Sequence, residues 1–268
     1  MRLRTTEVLA GLRNVRLQGG ILAATYVLFP LVGIAAAAAL SPVVGSRLAQ
    51  GLLFLTLLPS TVQSSVALTS VARGNVAGAI CGATVSNVLG MALTPLLVLA
   101  VLGRAATTGV GGIRAVLLQL LLPFAVGQVL QRWAGTWVRA HRPLTLLVDR
   151  GTILLVVFAA VTAATAAGVW EAVTGWRIVA LAAACLAVLG VVLAATWWGG
   201  ARLGLDVPDR ITLLMCGSKK SLATGLPMAS VLFPVATAAT LAVPVILFHQ
   251  LQLVVCAVIA RRLALRAN

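Results

Sequence analysis

The sequence predicts an all-α integral membrane protein, and three observations carry that prediction. Hydrophobic residues make up 61% of the 268 positions and charged residues only 9%, with a mean hydropathy of +1.09. A water-soluble domain runs nearer half apolar and a quarter charged. Apolar runs of about twenty residues recur, the length a helix needs to cross the hydrocarbon core of a bilayer. The period-two alternation of membrane-barrel strands is absent.

The opening, MRLRTTEVLAGLRNVRLQ (1–18), has basic residues but no apolar core ahead of a cleavage site, so it is not a signal peptide. It predicts an amphipathic cytoplasmic segment on the membrane surface, with Val8, Leu9 and Leu12 on one face. Eight apolar segments follow, at about 19–40, 48–70, 75–102, 112–131, 146–168, 177–199, 210–234 and 238–260. Short connections make 19–262 a single transmembrane domain, with 263–268 as a cytoplasmic tail. Counting arginines with both termini on one side puts fourteen there (Arg2, Arg4, Arg13, Arg16, Arg73, Arg132, Arg139, Arg142, Arg150, Arg202, Arg210, Arg261, Arg262, Arg266). The other side receives four, Arg47, Arg104, Arg114 and Arg177. By the positive-inside rule both termini are expected in the cytoplasm, and a bacterial-type inner (plasma) membrane is the expected location.

The net charge of +15 does not make this a nucleic-acid binder, because the arginines lie singly or in small groups rather than on one basic face. Cys81, Cys185, Cys216 and Cys256 are scattered through apolar segments with no ligand-type neighbours, so they are expected to be small buried hydrophobes. All five acids (Glu7, Asp149, Glu171, Asp206, Asp209) fall in loops or at segment ends, leaving no carboxylate at membrane depth. The tryptophans (133, 137, 170, 176, 197, 198) fall near segment ends, as interfacial anchors do.

Two segments are not ordinary spans. The second holds LLPSTVQSSVALTSVARGN, where Pro59 interrupts the apolar run and Gln63, Ser64 and Ser65 follow. The seventh holds CGSKKSLATGLP, in which Gly217, Gly225 and Pro227 bracket Ser218, Lys219, Lys220 and Ser221. These are the chain's only lysines. Breaks at membrane depth free backbone groups, which must be buried in protein or line a cavity. Paired interruptions in the two halves of a chain point to a transporter's substrate site, where opposed half-helix ends supply dipoles. The bland alternative is that proline and glycine merely kink these helices, and that serine and threonine pack between neighbours.

These residues, with LFHQLQLVVCAVIARR (247–262), are similar to the bile acid:sodium symporter family, in particular its orphan, bile-acid-symporter-like branch. The resemblance covers essentially the whole chain. It implies an inverted-repeat transporter fold of two five-helix repeats, in which the fourth and ninth helices are broken and cross at the binding site. Segments two and seven take those places. About eight transmembrane helices are then present here of a family-typical ten, the first two lacking. The resemblance also implies coupling to Na⁺. The family's sodium-ligating serine and threonine, however, fall on Ala79 and Ala83, and no acid stands in LLMCGSKKSLA. Thr84, Ser86 and Asn87 remain polar nearby. A hard cation wants oxygen ligands, usually including a carboxylate. No other cofactor is expected.

Three readings of Lys219 and Lys220 stay open: snorkelling to an interface, donating to carbonyl ends of the broken second segment, or facing a water-filled cavity that holds an anion or replaces a coupling cation. Neighbours on a helix lie about 100° apart, so one lysine is expected to face the crossing and the other to pack elsewhere. Gln63, Ser64, Ser65, Ser218, Ser221 and Asn87 would supply neutral partners. His249 in the last span, near Gln250 and Gln252, is a further candidate. Asn75 is expected to cap the third segment. The function expected is secondary active transport of a small organic, anionic solute across the bilayer; no enzyme is expected. The alternatives are a non-transporting membrane regulator of ion homeostasis and a Ser–Lys membrane hydrolase using Ser60, Ser64 or Ser218. No G-x-S-x-G or metal motif accompanies the last. Oligomeric state is not legible here.

Overall fold

Among the described residues, four helices are long and apolar enough to cross a bilayer: α1 (Val15–Val44), α4 (Val76–Leu102), α6 (Gly175–Arg202) and the last, α9 (Val235–Arg266). Two further passages are each split into half-helices, α2 (Ser46–Leu57) with α3 (Gln63–Val71), and α7 (Val207–Gly217) with α8 (Leu222–Leu232). Between them in sequence lies α5 (Arg142–Ala166). The computed structural model describes residues 14–103, 140–166 and 174–266, with Gly168 and scattered positions between 118 and 138. Among the described residues there is no strand. The expected surface segment (1–18) falls outside them up to residue 13, and so does most of the expected span 112–131. α4 matches its expected segment to within a residue, whereas α1 begins ahead of its own, at Val15, and α9 runs into the expected tail as far as Arg266.

The exterior is apolar, with Leu154 70% exposed and Phe158 and Val179 69% exposed. That is the inverse of a soluble surface and fits a lipid environment. Inside, α4 presents a small-residue face, Gly78, Gly82, Ser86 and Gly90, at four-residue spacing. Such faces let membrane helices approach closely. A Cβ on Gly78 would meet Leu17 at 2.7 Å, one on Gly82 would meet Ile21 at 2.5 Å, and one on Gly90 would meet both Pro59 and the Tyr26 hydroxyl at 2.7 Å. Overpacking of this kind costs about 1–3 kcal/mol. Gly82→Leu is therefore expected to lower the thermal unfolding midpoint of the purified protein in detergent. An unchanged midpoint would show that α1 and α4 do not pack this tightly.

At one end, three helix N-termini are tied together. Asn14 caps α1 through Leu17 N–H (3.2 Å), and Asn75 caps α4 through Gly78 N–H (2.8 Å), as expected for Asn75. Asp206 caps α7. Buried Asp209 then accepts from both asparagine amides, Asn14 on one oxygen and Asn75 on the other. Carboxylates suit helix N-termini, so one acid serves three of them. Arg16, Arg73, Arg202, Arg210, Arg261 and Arg262 lie at or near helix ends on this side, while Arg47 and Arg177 begin helices at the other. Arg210 is further held over the Trp197 ring at 4.3 Å.

From Asp209's end, α7 rises for eleven residues before its break. On α4, Asn87 is the twelfth residue. At 1.5 Å per residue both lie about 16 Å in, close to the middle of a hydrocarbon core about 30 Å thick. The two breaks therefore share mid-membrane depth, with α9 packed along α2, α3 and α8.

Candidate functional site

The first break begins where Pro59 forbids a helix. A residue before proline is driven out of the helical region, and Leu58 is extended at ψ 156°. The last carbonyls of α2 then lack helical partners. Each of four in a row is met from another element. Leu57 accepts from Thr94 Oγ1 (2.9 Å), Leu58 from Lys220 Nζ (2.7 Å), Pro59 from Ser221 N–H (2.9 Å) and Ser60 from Asn87 Nδ2 (2.5 Å). With these four carbonyls paired, the break is a bonded junction rather than a loose kink.

The second break spans Ser218 to Ser221, between the last residue of α7, Gly217, and the first of α8, Leu222. Ser221 opens α8 by accepting from Thr224 N–H (3.2 Å). Ser60 Oγ donates back to the Cys216 carbonyl (2.5 Å), so each break repairs the other. Gly225 and Pro227, expected as breakers, instead lie inside continuous α8. Pro227 forgoes only one bond there, which a membrane helix tolerates. Gly225 is small because Leu58 of the first break presses on it.

Both lysines are buried, Lys219 at 0% and Lys220 at 1% exposure. Snorkelling is excluded for them. Both also reach across the junction, contrary to the expectation that one would turn away. The 100° rule holds on a helix, and residues 218–221 are not helical.

Lys220 is held by two backbone carbonyls and an aromatic face. Its ammonium donates to Leu58 O and to Thr25 O (2.8 Å), and lies 4.3 Å from the Phe29 ring centroid. Thr25 can accept because α1 contains a π-turn, Ala24–Leu28. Phe29 N–H is committed to Ala24 O, and the next residue, Pro30, has no N–H. Thr25 O is therefore orphaned within its own helix, and the lysine fills it. The Lys220 backbone is clamped as well: its N–H donates to Gln252 Oε1 (2.8 Å), and Gln252 Nε2 donates to its carbonyl (2.9 Å). Gln252 Nε2 also approaches His249 Nδ1 at 2.9 Å.

Lys219 is different. Its ammonium makes one bond, to Ser64 O in the first turn of α3 (2.9 Å), leaving two donors without a partner among the described residues. Around it stand Ser64 and Ser65, whose hydroxyls share Thr61 Oγ1 at 2.5 and 3.1 Å. Asn87 bridges Ser60 O and Thr224. Ser218 turns away, donating to Leu214 O within α7 (2.5 Å). Gln63 is exposed at the start of α3. Among the described residues no acid contacts either lysine, and no His/Cys/Asp/Glu group could hold a metal. Ala79 and Ala83 are fully buried and bring only methyl groups. All four cysteines are buried, and none is joined in a disulfide among the described residues. A cavity of about 330 Å³ between α5, α8 and α9 is lined by alanines, Val156, Leu226 and Pro227, and neither lysine borders it.

Sequence reasoning missed the partners of Lys220: Thr25, Phe29 and, in its role as a backbone clamp, Gln252. Pro30 signalled an orphaned carbonyl one turn earlier, which an α-helix would put at Tyr26; the π-turn moves it to Thr25.

The chain matches the SBF-like CPA transporter family over residues 1–265. It is 48% identical over 269 residues to an uncharacterized protein of Pseudomonas aeruginosa, covering 100% of this chain and 81% of that one. It is 39% identical over 265 residues to "Putative symporter YfeH" of Escherichia coli, covering 97% and 79%. Sodium/bile acid cotransporter 7 of Xenopus tropicalis is 24% identical over 264 residues, with 97% and 77% covered. The chain belongs to the SBF-like CPA transporter family: it is an integral membrane transporter, not an enzyme, as the resemblance implied.

Proposed function

We propose that this transporter is a secondary active carrier of a small organic anion, bound where the two breaks meet, with Lys219 as the cation that the solute contacts. The observation that carries this is a fully buried ammonium with one of its three donors bonded, beside polar groups at mid-membrane depth. A charge buried without a counter-charge is expensive, and an anion that completes its hydrogen bonds relieves that cost. Ser64, Ser65, Ser221 and Asn87 stand near enough to the junction to orient the neutral part of a solute. Gln63, exposed at the start of α3, would meet it on approach.

Lys220 takes the place of a coupling cation. Two carbonyl oxygens and an aromatic face surround its ammonium. No carboxylate among the described residues completes a sodium site. We accordingly assign no Na⁺ to this junction. The Asp209 end is assigned to the cytoplasm of a bacterial-type inner membrane, on the arginine bias between the two ends.

The test is a thermal-stability panel on the purified chain, using short mono- and dicarboxylates, sulfonates and organic cations, each in sodium and in choline buffer. At least one organic anion is expected to raise the unfolding midpoint equally in both buffers, as a ligand of the folded state must. Stabilisation by organic cations only, or by anions only when sodium is present, would refute the reading.

A further inference from the structure

We propose that His249 is a proton-binding site that controls the clamp on the second break, so that the carrier couples its anion to a proton. The hydrogen-bond polarity around Gln252 carries the argument. Lys220 N–H needs an acceptor and Lys220 O needs a donor, so Gln252 must present Oε1 to the first and Nε2 to the second. Nε2 has two hydrogens. The second faces His249 Nδ1 at 2.9 Å. That nitrogen must therefore accept, which makes His249 neutral with its proton on Nε2.

Protonation reverses the polarity. A proton adding to Nδ1 gives an imidazolium with two N–H donors and no acceptor. Donor then faces donor: the imidazolium competes with Gln252 Nε2 for the Lys220 carbonyl, which lies within its reach, or Gln252 turns its amide. Turning it loses both bonds to the Lys220 backbone, because they are fixed by one amide in one orientation. The second break then keeps only the side-chain ties of Lys219, Lys220 and Ser60 and the Ser221 N–H bond to Pro59 O. A new cation has also appeared beside Lys219, and an arriving organic anion offsets it. Proton and anion thus favour each other's binding, which is the linkage a symporter needs.

The titratable groups facing this corner are few. The break supplies Lys219 and Lys220, and the Cys216 thiol of α7 and Cys256 of α9 lie beside Lys219, while Tyr26 of α1 is bonded to Ser86 O on α4. On α2 and beyond α3, Arg47 and Arg73 stand away from the break, and α8 has no titratable residue. On α6, Cys185 is buried between terminal Arg177 and Arg202, while the side chains of Asp149 and Arg150 on α5 fall outside the described set.

Coupling to the anion rests on the proposed function, but the clamp does not, and it can be tested with no solute present. The measurement is amide hydrogen exchange of residues 217–224 in the purified full chain, corrected for the intrinsic pH dependence of exchange. In the wild type, protection is expected to fall roughly tenfold or more between about pH 8 and about pH 5, the range histidine spans. His249→Gln keeps an acceptor that cannot take a proton and should be protected equally at both. Gln252→Ala should be unprotected at both. Should His249→Gln not fold, His249→Asn carries the same acceptor on a shorter arm. A flat wild-type profile, or a wild-type response retained in the histidine variant, overturns the proposal. Neither result bears on the anion panel, so failure here and failure of the anion reading are distinguishable.

Discussion

Lys220→Met is expected to destabilise the purified protein by about 2–4 kcal/mol, lowering its thermal midpoint by roughly 5–15 °C. Two effects oppose each other. Removing a buried ammonium recovers its desolvation cost. Yet the two carbonyls it served, Thr25 and Leu58, cannot be repaired from within their own helices. One is orphaned by a π-turn and Pro30, the other by Pro59. An unpaired buried carbonyl costs about 1–3 kcal/mol, and two of them outweigh the recovered solvation of an ammonium already held by polar groups. The lysine also ties α1 to the end of α2 and to the second break, so its loss loosens three elements at once. Should the variant keep the wild-type midpoint yet lose solute binding, Lys220 would be a ligand residue and the division between the lysines would be wrong.

Lys219→Met is expected to do the opposite. One hydrogen bond to Ser64 O is lost, a change of about 1 kcal/mol that leaves the fold in place. Uptake of the best anion from the panel should fall about a hundredfold, because charge-assisted pairing in a dry site contributes several kcal/mol to binding. Lys219→Arg is expected to restore little. The guanidinium is a larger, planar fork whose donors are fixed in directions an ammonium's are not, so it does not reproduce a compact point charge beside the first turn of α3. Initial rates in proteoliposomes would check both variants, and Lys219→Met transporting at the wild-type rate would remove the anion site from this residue.

Much of the scaffold was readable in the residues, because bilayer crossing imposes length and apolarity on each helix. The half-helix pairs were readable too, since Pro59 and the lysine pair are conspicuous in apolar surroundings. Glycine and proline misled only as markers of where the second break ends. Gly225 and Pro227 sit in an intact helix, one making room for Leu58 and the other tolerated there. The true second break is the polar run Ser218–Ser221, defined by what its backbone bonds to across the junction. No local pattern reports that Gln252, thirty-two residues on, holds Lys220. Nor does a sequence period divide the roles of two adjacent lysines, because helical spacing has no meaning in a break. Asp209 was legible as an acid at a segment end. Its joining of three helix N-termini was not, since it depends on Asn14 and Asn75 arriving from distant parts of the chain.

The central claim is that Lys220 holds the crossing while Lys219 awaits an anion. Titrating the purified wild-type chain and Lys219→Met with the carboxylate or sulfonate that stabilises the wild type most tests it directly. The account predicts a dissociation constant at least tenfold weaker in the variant, with an unfolding midpoint within a few degrees of wild type. Equal dissociation constants would contradict it.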